Sequence, residues 1–135
     1  MTPVRRYNHN GSKILIVDDD ETNLKYLMIR LTQAGFEVTQ AESGNEALEL
    51  LGHYMPDLIL LDIKMPGMDG FEVCKVVKGM EETEDIPIIF LTALSDTVDK
   101  LKGFETGGVD YITKPINFDE VNARVNAHLT LVKQH

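Results

Sequence analysis

Five short apolar runs, at residues 14–17, 36–39, 58–61, 88–91 and 109–112, alternate along this chain with stretches of helical period. Leu24, Leu27, Met28 and Leu31 share one helical face, as do Ala47, Leu48 and Leu51. Strands that alternate with helices cannot pair as hairpins. They pair as a parallel sheet, with right-handed crossovers and helices on both faces. The runs at 14–17 and 58–61 are wholly apolar, as central strands buried on both faces should be. Gly35 and Gly52 stand where the first two helices should stop, and Ser43 and Asp69 are candidate N-caps. The last helix starts near Phe118, after Pro115, and runs on toward His135 without a stop signal.

With 135 residues the chain is expected to form one domain over 13–131, behind a flexible, aperiodic leader over 1–12. The net charge of −9 argues against nucleic-acid contact, which needs clustered Lys and Arg. The single cysteine, Cys74, excludes an internal disulfide framework and fits a reducing compartment. Its place in a helix suggests a buried, inert thiol. No apolar run approaches the roughly 18 residues of a membrane span, and the N-terminus has no signal-peptide core, so a cytoplasmic setting is expected. His9, His53, His128 and His135 have no metal-ligand spacing and are read as surface residues. The acidic run at 81–85 is read as a solvated loop.

In an open parallel sheet, ligands bind beyond the carboxyl ends of the strands. The third run ends in Asp62, followed at once by the turn Met65-Pro66-Gly67-Met68-Asp69-Gly70. The first run ends in Asp18-Asp19-Asp20. The first and third strands of a doubly wound sheet are neighbours, which brings Asp18 and Asp19 near Asp62. Asp20, opening Asp20-Glu21-Thr22, is assigned to the helix cap. Each pair of carboxylates ~4 Å apart costs about 4 kcal/mol at an effective dielectric of about 20. Such a cluster calls for a cation or shared protons. Oxygen-only ligands suit Mg²⁺ or Mn²⁺ rather than zinc. The fourth strand ends in Thr92, a hydroxyl, and the fifth in Thr113-Lys114-Pro115, an ammonium. Acids, hydroxyl and lysine on one edge form a phosphoryl site: a carboxylate attacks, metal and lysine neutralise the transferred oxygens, and the hydroxyl donates to one of them.

These residues resemble the receiver domain of two-component response regulators. The resemblance rests on Ile14-Leu15-Ile16-Val17-Asp18-Asp19, on Asp62 with its Met65–Gly70 turn, on Leu91-Thr92-Ala93, and on Tyr111 with Lys114-Pro115. It implies a flavodoxin-like (βα)5 fold with strand order 2-1-3-4-5. It implies that Asp62 is the phosphoacceptor and that Asp19 and Asp62 bind Mg²⁺ directly, with Asp18 acting through water and the carbonyl of Lys64 as a third protein ligand. A cis Lys114-Pro115 bond and a switch pair, Thr92 and Tyr111, are implied too. The partners implied are a sensor histidine kinase or phosphotransfer protein, and an output domain or downstream protein. A phosphorylation-dependent homodimer would be in keeping. The responding face would be the fourth helix, fifth strand and fifth helix, including 97–106 and the surroundings of Phe118, Val121 and Val125. Such a domain catalyses its own phosphorylation and dephosphorylation but turns over no external metabolite. Lys64 and Leu94, flanking the path of a hydrolytic water, offer no group to orient it.

Three rival readings compete with this one. Asp18-Asp19-Asp20-Glu21-Thr22 also fits the Asp-x-Asp-x-Thr motif of haloacid-dehalogenase-like phosphatases. That reading leaves Asp62 without a role, lacks a later acidic pair and has no room for a cap. An FMN-binding flavodoxin would want a hydroxyl- and glycine-rich loop after the first strand, where three acids stand. A degenerate docking module would not keep an intact set of acid, threonine and lysine.

Overall fold

The computed structural model describes residues 9–93 and 97–133. The elements run β1 (Lys13–Val17), α1 (Glu21–Gln33), β2 (Glu37–Ala41), α2 (Gly44–Leu51), β3 (Leu58–Asp62), α3 (Gly70–Lys78), β4 (Ile88–Thr92), α4 (Thr97–Thr106), β5 (Asp110–Thr113) and α5 (Phe118–Lys133). The five strands form one parallel sheet in the order β2-β1-β3-β4-β5. This is the flavodoxin-like arrangement expected.

The period-2 alternation of strand side chains divides the core in two. Leu15, Val17, Ile59, Leu61, Ile88 and Phe90 point to one face and pack with Ala47 and Leu51 of α2 and with Phe71, Val73, Cys74 and Val77 of α3. Ile14, Ile16, Leu58, Leu60, Ile89 and Leu91 point to the other, against Leu24, Leu27 and Leu31 of α1 and Phe118, Val121, Val125 and Leu129 of α5. Gly103 brings α4 onto the first face: a Cβ there would stand 2.9 Å from Cδ2 of the Phe90 ring. β1, β3 and β4 are thus covered on both sides, which is why their sequences are continuously apolar.

Local signals placed the helix starts. Asp20 accepts from the backbone N–H of Thr22 at 2.8 Å, Ser43 from that of Glu46 at 3.1 Å, and Asp69 from that of Glu72 at 2.9 Å. Glu72 closes the reciprocal bond to the Asp69 N–H, completing a capping box. Cys74 is buried, its Sγ 3.4 Å from the Thr106 carbonyl, and burial pushes the thiol up from its ordinary value.

Two expectations need correction. His9 is buried and His128 is half-buried rather than freely exposed. His9 is 6% exposed and its Nε2 lies 2.9 Å from Thr130 Oγ1 of α5. His128 faces β5, where its Nε2 sits 3.0 Å from an Asp110 carboxylate that also holds Arg124 at 2.8 Å. Each partner is far away in the chain, so spacing alone could not reveal it. His53 is exposed as expected, and His135 lies outside the described residues. The acidic loop after α3 is mostly exposed, but Thr83 within it is buried, its hydroxyl donating to the Val77 carbonyl at 2.6 Å.

Of the expected leader, residues 1–8 lie outside the described residues. Gly11 N–H donates to the Gly35 carbonyl at 2.8 Å and Glu37 N–H to that of Ser12 at 2.9 Å. Among the described residues, no helix is long and apolar enough to cross a membrane.

Candidate active site

Register sets the geometry. Val17 pairs with Leu61, so the residues that follow, Asp18 and Asp62, leave the sheet side by side. Asp62 pairs with Leu91, and Thr92 with Thr113, which puts Thr92 and Lys114 at the same edge one strand and two strands away. Strand ends therefore position all four groups: Asp62 and Thr92 close β3 and β4, and Asp18 and Lys114 directly follow β1 and β5. One carboxylate oxygen from each of Asp18, Asp19 and Asp62 falls within 4.8 Å of the others. A cleft of about 290 Å³ opens over them, lined by Asp19, Asp20, Asp62, Lys64, Thr92 and Lys114 among others. That is many times the roughly 10–15 Å³ one water needs.

The acids differ in environment. Asp18 is fully buried: its Oδ1 accepts from the Asp20 N–H at 2.9 Å and its Oδ2 from Asn23 Nδ2 at 3.2 Å. Asp19 is exposed on the cleft. Asp62 is 3% exposed, and Lys114 Nζ donates to its Oδ1 at 3.0 Å. Burial first, then the charge of Asp18, push the Asp62 carboxyl up to about 7 against the pull of Lys114. Burial alone would lower the Lys114 ammonium, but its bonds and charges with Asp62 and Asp18 hold it above its ordinary value.

Thr92 is 3% exposed, and its Oγ1 has no hydrogen-bond partner among the described residues. A buried unmet hydroxyl costs about 1–3 kcal/mol, so a site for an arriving acceptor is implied. Tyr111, half-buried on β5, meets the Phe104 ring of α4 edge-on at 5.7 Å. The Lys114-Pro115 bond is cis. Leu94 lies outside the described residues.

Asp18, Asp19, Asp62, Thr92 and Lys114, singled out in the sequence, thus converge, and Lys64 borders their cleft. Tyr111 stands apart from it, toward α4. Two positions escaped the sequence reading. Asn23 supports Asp18 from the first turn of α1; its spacing of five from Asp18, one turn into a helix that the acids open, was the available signal. Gly70, read only as part of a turn, lies against the end of β3: a Cβ there would stand 2.8 Å from Ile63 Cα and closer still to the Asp62 carbonyl oxygen. The N–H of Gly70 also donates to the Ile63 carbonyl at 2.8 Å.

The donor set, three carboxylates without nitrogen or sulfur, fits a hard divalent cation such as Mg²⁺ or Mn²⁺. An ion there would also offset the repulsion that raises Asp62.

The sequence model of the response regulator receiver domain matches residues 14–126. RpaA of Synechocystis, a DNA-binding dual master transcriptional regulator, is 44% identical over 117 residues, 87% of this chain and 48% of that protein. The response regulator PleD of Caulobacter vibrioides is 43% identical over 117 residues, 87% of this chain and 26% of that protein. The chain therefore spans from about a quarter to half the length of these relatives. Among solved structures, the signal receiver domain of a signal transduction histidine kinase from Syntrophus aciditrophicus superposes with a TM-score of 0.86 at 37% identity, covering 93% of this chain and 95% of that one. A CheY-like receiver domain protein from Methanospirillum hungatei gives 0.81 at 31% identity, covering 92% and 98%.

Proposed function

The chain belongs to the response regulator receiver domain family, and from that premise we propose that it takes a phosphoryl group onto Asp62 and passes the change to a remote face. The observation that carries the reading is the company Asp62 keeps: a buried carboxyl at a strand end, an ammonium at 3.0 Å, two further acids, and a buried hydroxyl without a hydrogen-bond partner among the described residues, in one cleft.

The step is a displacement at phosphorus. A carboxylate oxygen of Asp62 attacks, the bond from phosphorus to a donor imidazole nitrogen or acyl oxygen breaks, and the leaving group departs with its electron pair. Asp19, Asp62 and the Lys64 carbonyl would hold Mg²⁺ (Mn²⁺ has the same donor chemistry), with Asp18 reaching it through water. Bound there, the ion neutralises charge on the transferred oxygens. Lys114 shares that task, and Thr92 donates its hydroxyl to one of the same oxygens. Asp18 is a poor nucleophile by comparison, since both of its oxygens are engaged and it is fully buried. That weighs against the phosphatase alternative.

A phosphoryl group brings about −1.5 to −2 charge and three acceptor oxygens. Thr92 moves toward it, Tyr111 turns into the space released, and the face of α4, β5 and α5 changes. The donor is a sensor histidine kinase or phosphotransfer protein in the cytoplasm. The reader is an output domain, a separate protein or a second copy, without nucleic acid or membrane contact by this domain. Incubation with acetyl phosphate should add one phosphoryl mass in the presence of Mg²⁺ and none in EDTA. Uptake that ignored the metal would refute the mechanism.

A further inference from the structure

Lys114 is one ammonium placed between two buried carboxylates. Its Nζ lies 3.0 Å from Asp62 Oδ1 and 3.6 Å from Asp18 Oδ2. Asp18 is the more deeply buried of the two acids, with no exposed surface against 3% for Asp62. Both acids are thus buried and both compete for the one ammonium. A displacement of about 0.7 Å would bring Nζ to charge-assisted bonding distance of Asp18 Oδ2, about 2.9 Å. Asn23 competes for that oxygen. Its Nδ2 donates to the same Oδ2 at 3.2 Å, while the Asp20 N–H holds Oδ1 at 2.9 Å. The amide nitrogen must be the atom facing Asp18, because a carboxylate only accepts.

From this geometry we infer that Asn23 is a positioning residue: by donating to the Asp18 oxygen nearest Lys114, it weakens that oxygen's pull on the ammonium and leaves Nζ on Asp62, where the transferred phosphoryl oxygens arrive. The inference rests on Asp62 being the phosphoacceptor. Asn23 touches neither donor nor metal and acts only through Asp18 and Lys114. The burial of Asp18 makes the effect directional. An oxygen left unmet there is costly, and the nearest donor able to meet it is the lysine that Asp62 uses.

The test compares the full chain with Asn23→Ala and Asn23→Gln. Both substitutions favour α1, since Ala and Gln are better helix formers than Asn. Crystal structures of the three read the position of Nζ, and single-turnover phosphorylation by acetyl phosphate at saturating Mg²⁺ reads its consequence. In Asn23→Ala, Nζ should close on Asp18 and leave Asp62. The maximal rate should fall about tenfold, the order of one charge-assisted hydrogen bond, at an unchanged half-saturating donor concentration. Asn23→Gln, which keeps the amide, should recover most of the rate. An Nζ that stays on Asp62 in Asn23→Ala, a water having replaced the amide, with a rate within twofold of the parent chain, would overturn the inference. If the parent chain itself took up no phosphoryl group, the phosphoacceptor assignment would fall, while the position of Nζ would still decide what Asn23 does.

Discussion

Asp62 illustrates how far single residues were legible. Its place at the end of an apolar run, before a Pro-Gly turn, marks it in the sequence itself. The raised carboxyl was not legible, because it comes from burial and from Asp18, a neighbour through the sheet rather than the chain. Unfolded, the group titrates near 3.8; folded, near 7. Between those values the folded state binds more protons than the unfolded one. This group's contribution to stability therefore falls as pH rises through that window and stays low above it. Asp62→Asn removes the ionisation. In EDTA at pH 8 the variant should be more stable than the parent by about 1–3 kcal/mol, trimmed by the lost Lys114 contact, and the gain should vanish below about pH 4. Urea unfolding of both proteins across that range checks it; a gain that grew toward low pH would reverse the sign. Asn23 was missed for the same kind of reason. An asparagine in a first helical turn looks like a capping or solvent residue until the carboxylate beneath it is placed.

Elements were more legible than residues, because caps and periods are local. Ser43 and Asp69 were recognisable as N-caps from their neighbours alone. The turn after β3 was recognisable too, but not why it must end in glycine. Gly70→Ala would press a Cβ into the backbone of Ile63, which cannot yield as a side chain could. We expect a loss of about 2–4 kcal/mol by thermal or urea unfolding. Asp62 should take up phosphoryl more slowly as its strand end shifts. An unchanged midpoint would show that the α3 start is free to move. In the proposed mechanism Thr92 is the residue that couples the elements. Thr92→Ala keeps the nucleophile and acids, so beryllofluoride, a phosphoryl mimic, should still bind at Asp62. The amide-exchange changes the mimic produces across α4, β5 and α5 in the parent chain should be largely lost. Full remote changes in the variant would reduce Thr92 to an ordinary strand-end residue.

At the scale of the molecule, an alternating chain of this kind has few ways to fold. Strands buried on both faces set the sheet, and the sheet sets one edge where Asp18, Asp19, Asp62, Thr92 and Lys114 meet. That is why the site could be assembled from strand ends before any distance was known. The long-range contacts could not be. His9 on Thr130, and His128 with Arg124 on Asp110, depend on how α5 lies across the sheet, which no local signal encodes. In the proposed mechanism the one edge does one chemical job at one carboxylate. Borohydride reduction of the acetyl-phosphate-treated protein, followed by peptide mapping, locates the acyl phosphate directly. The modified residue should be Asp62 alone, and Asp62→Asn should carry no label at that position. Label on Asp18 or Asp19 in the parent chain would contradict the account and return the site to a phosphatase-like nucleophile after β1.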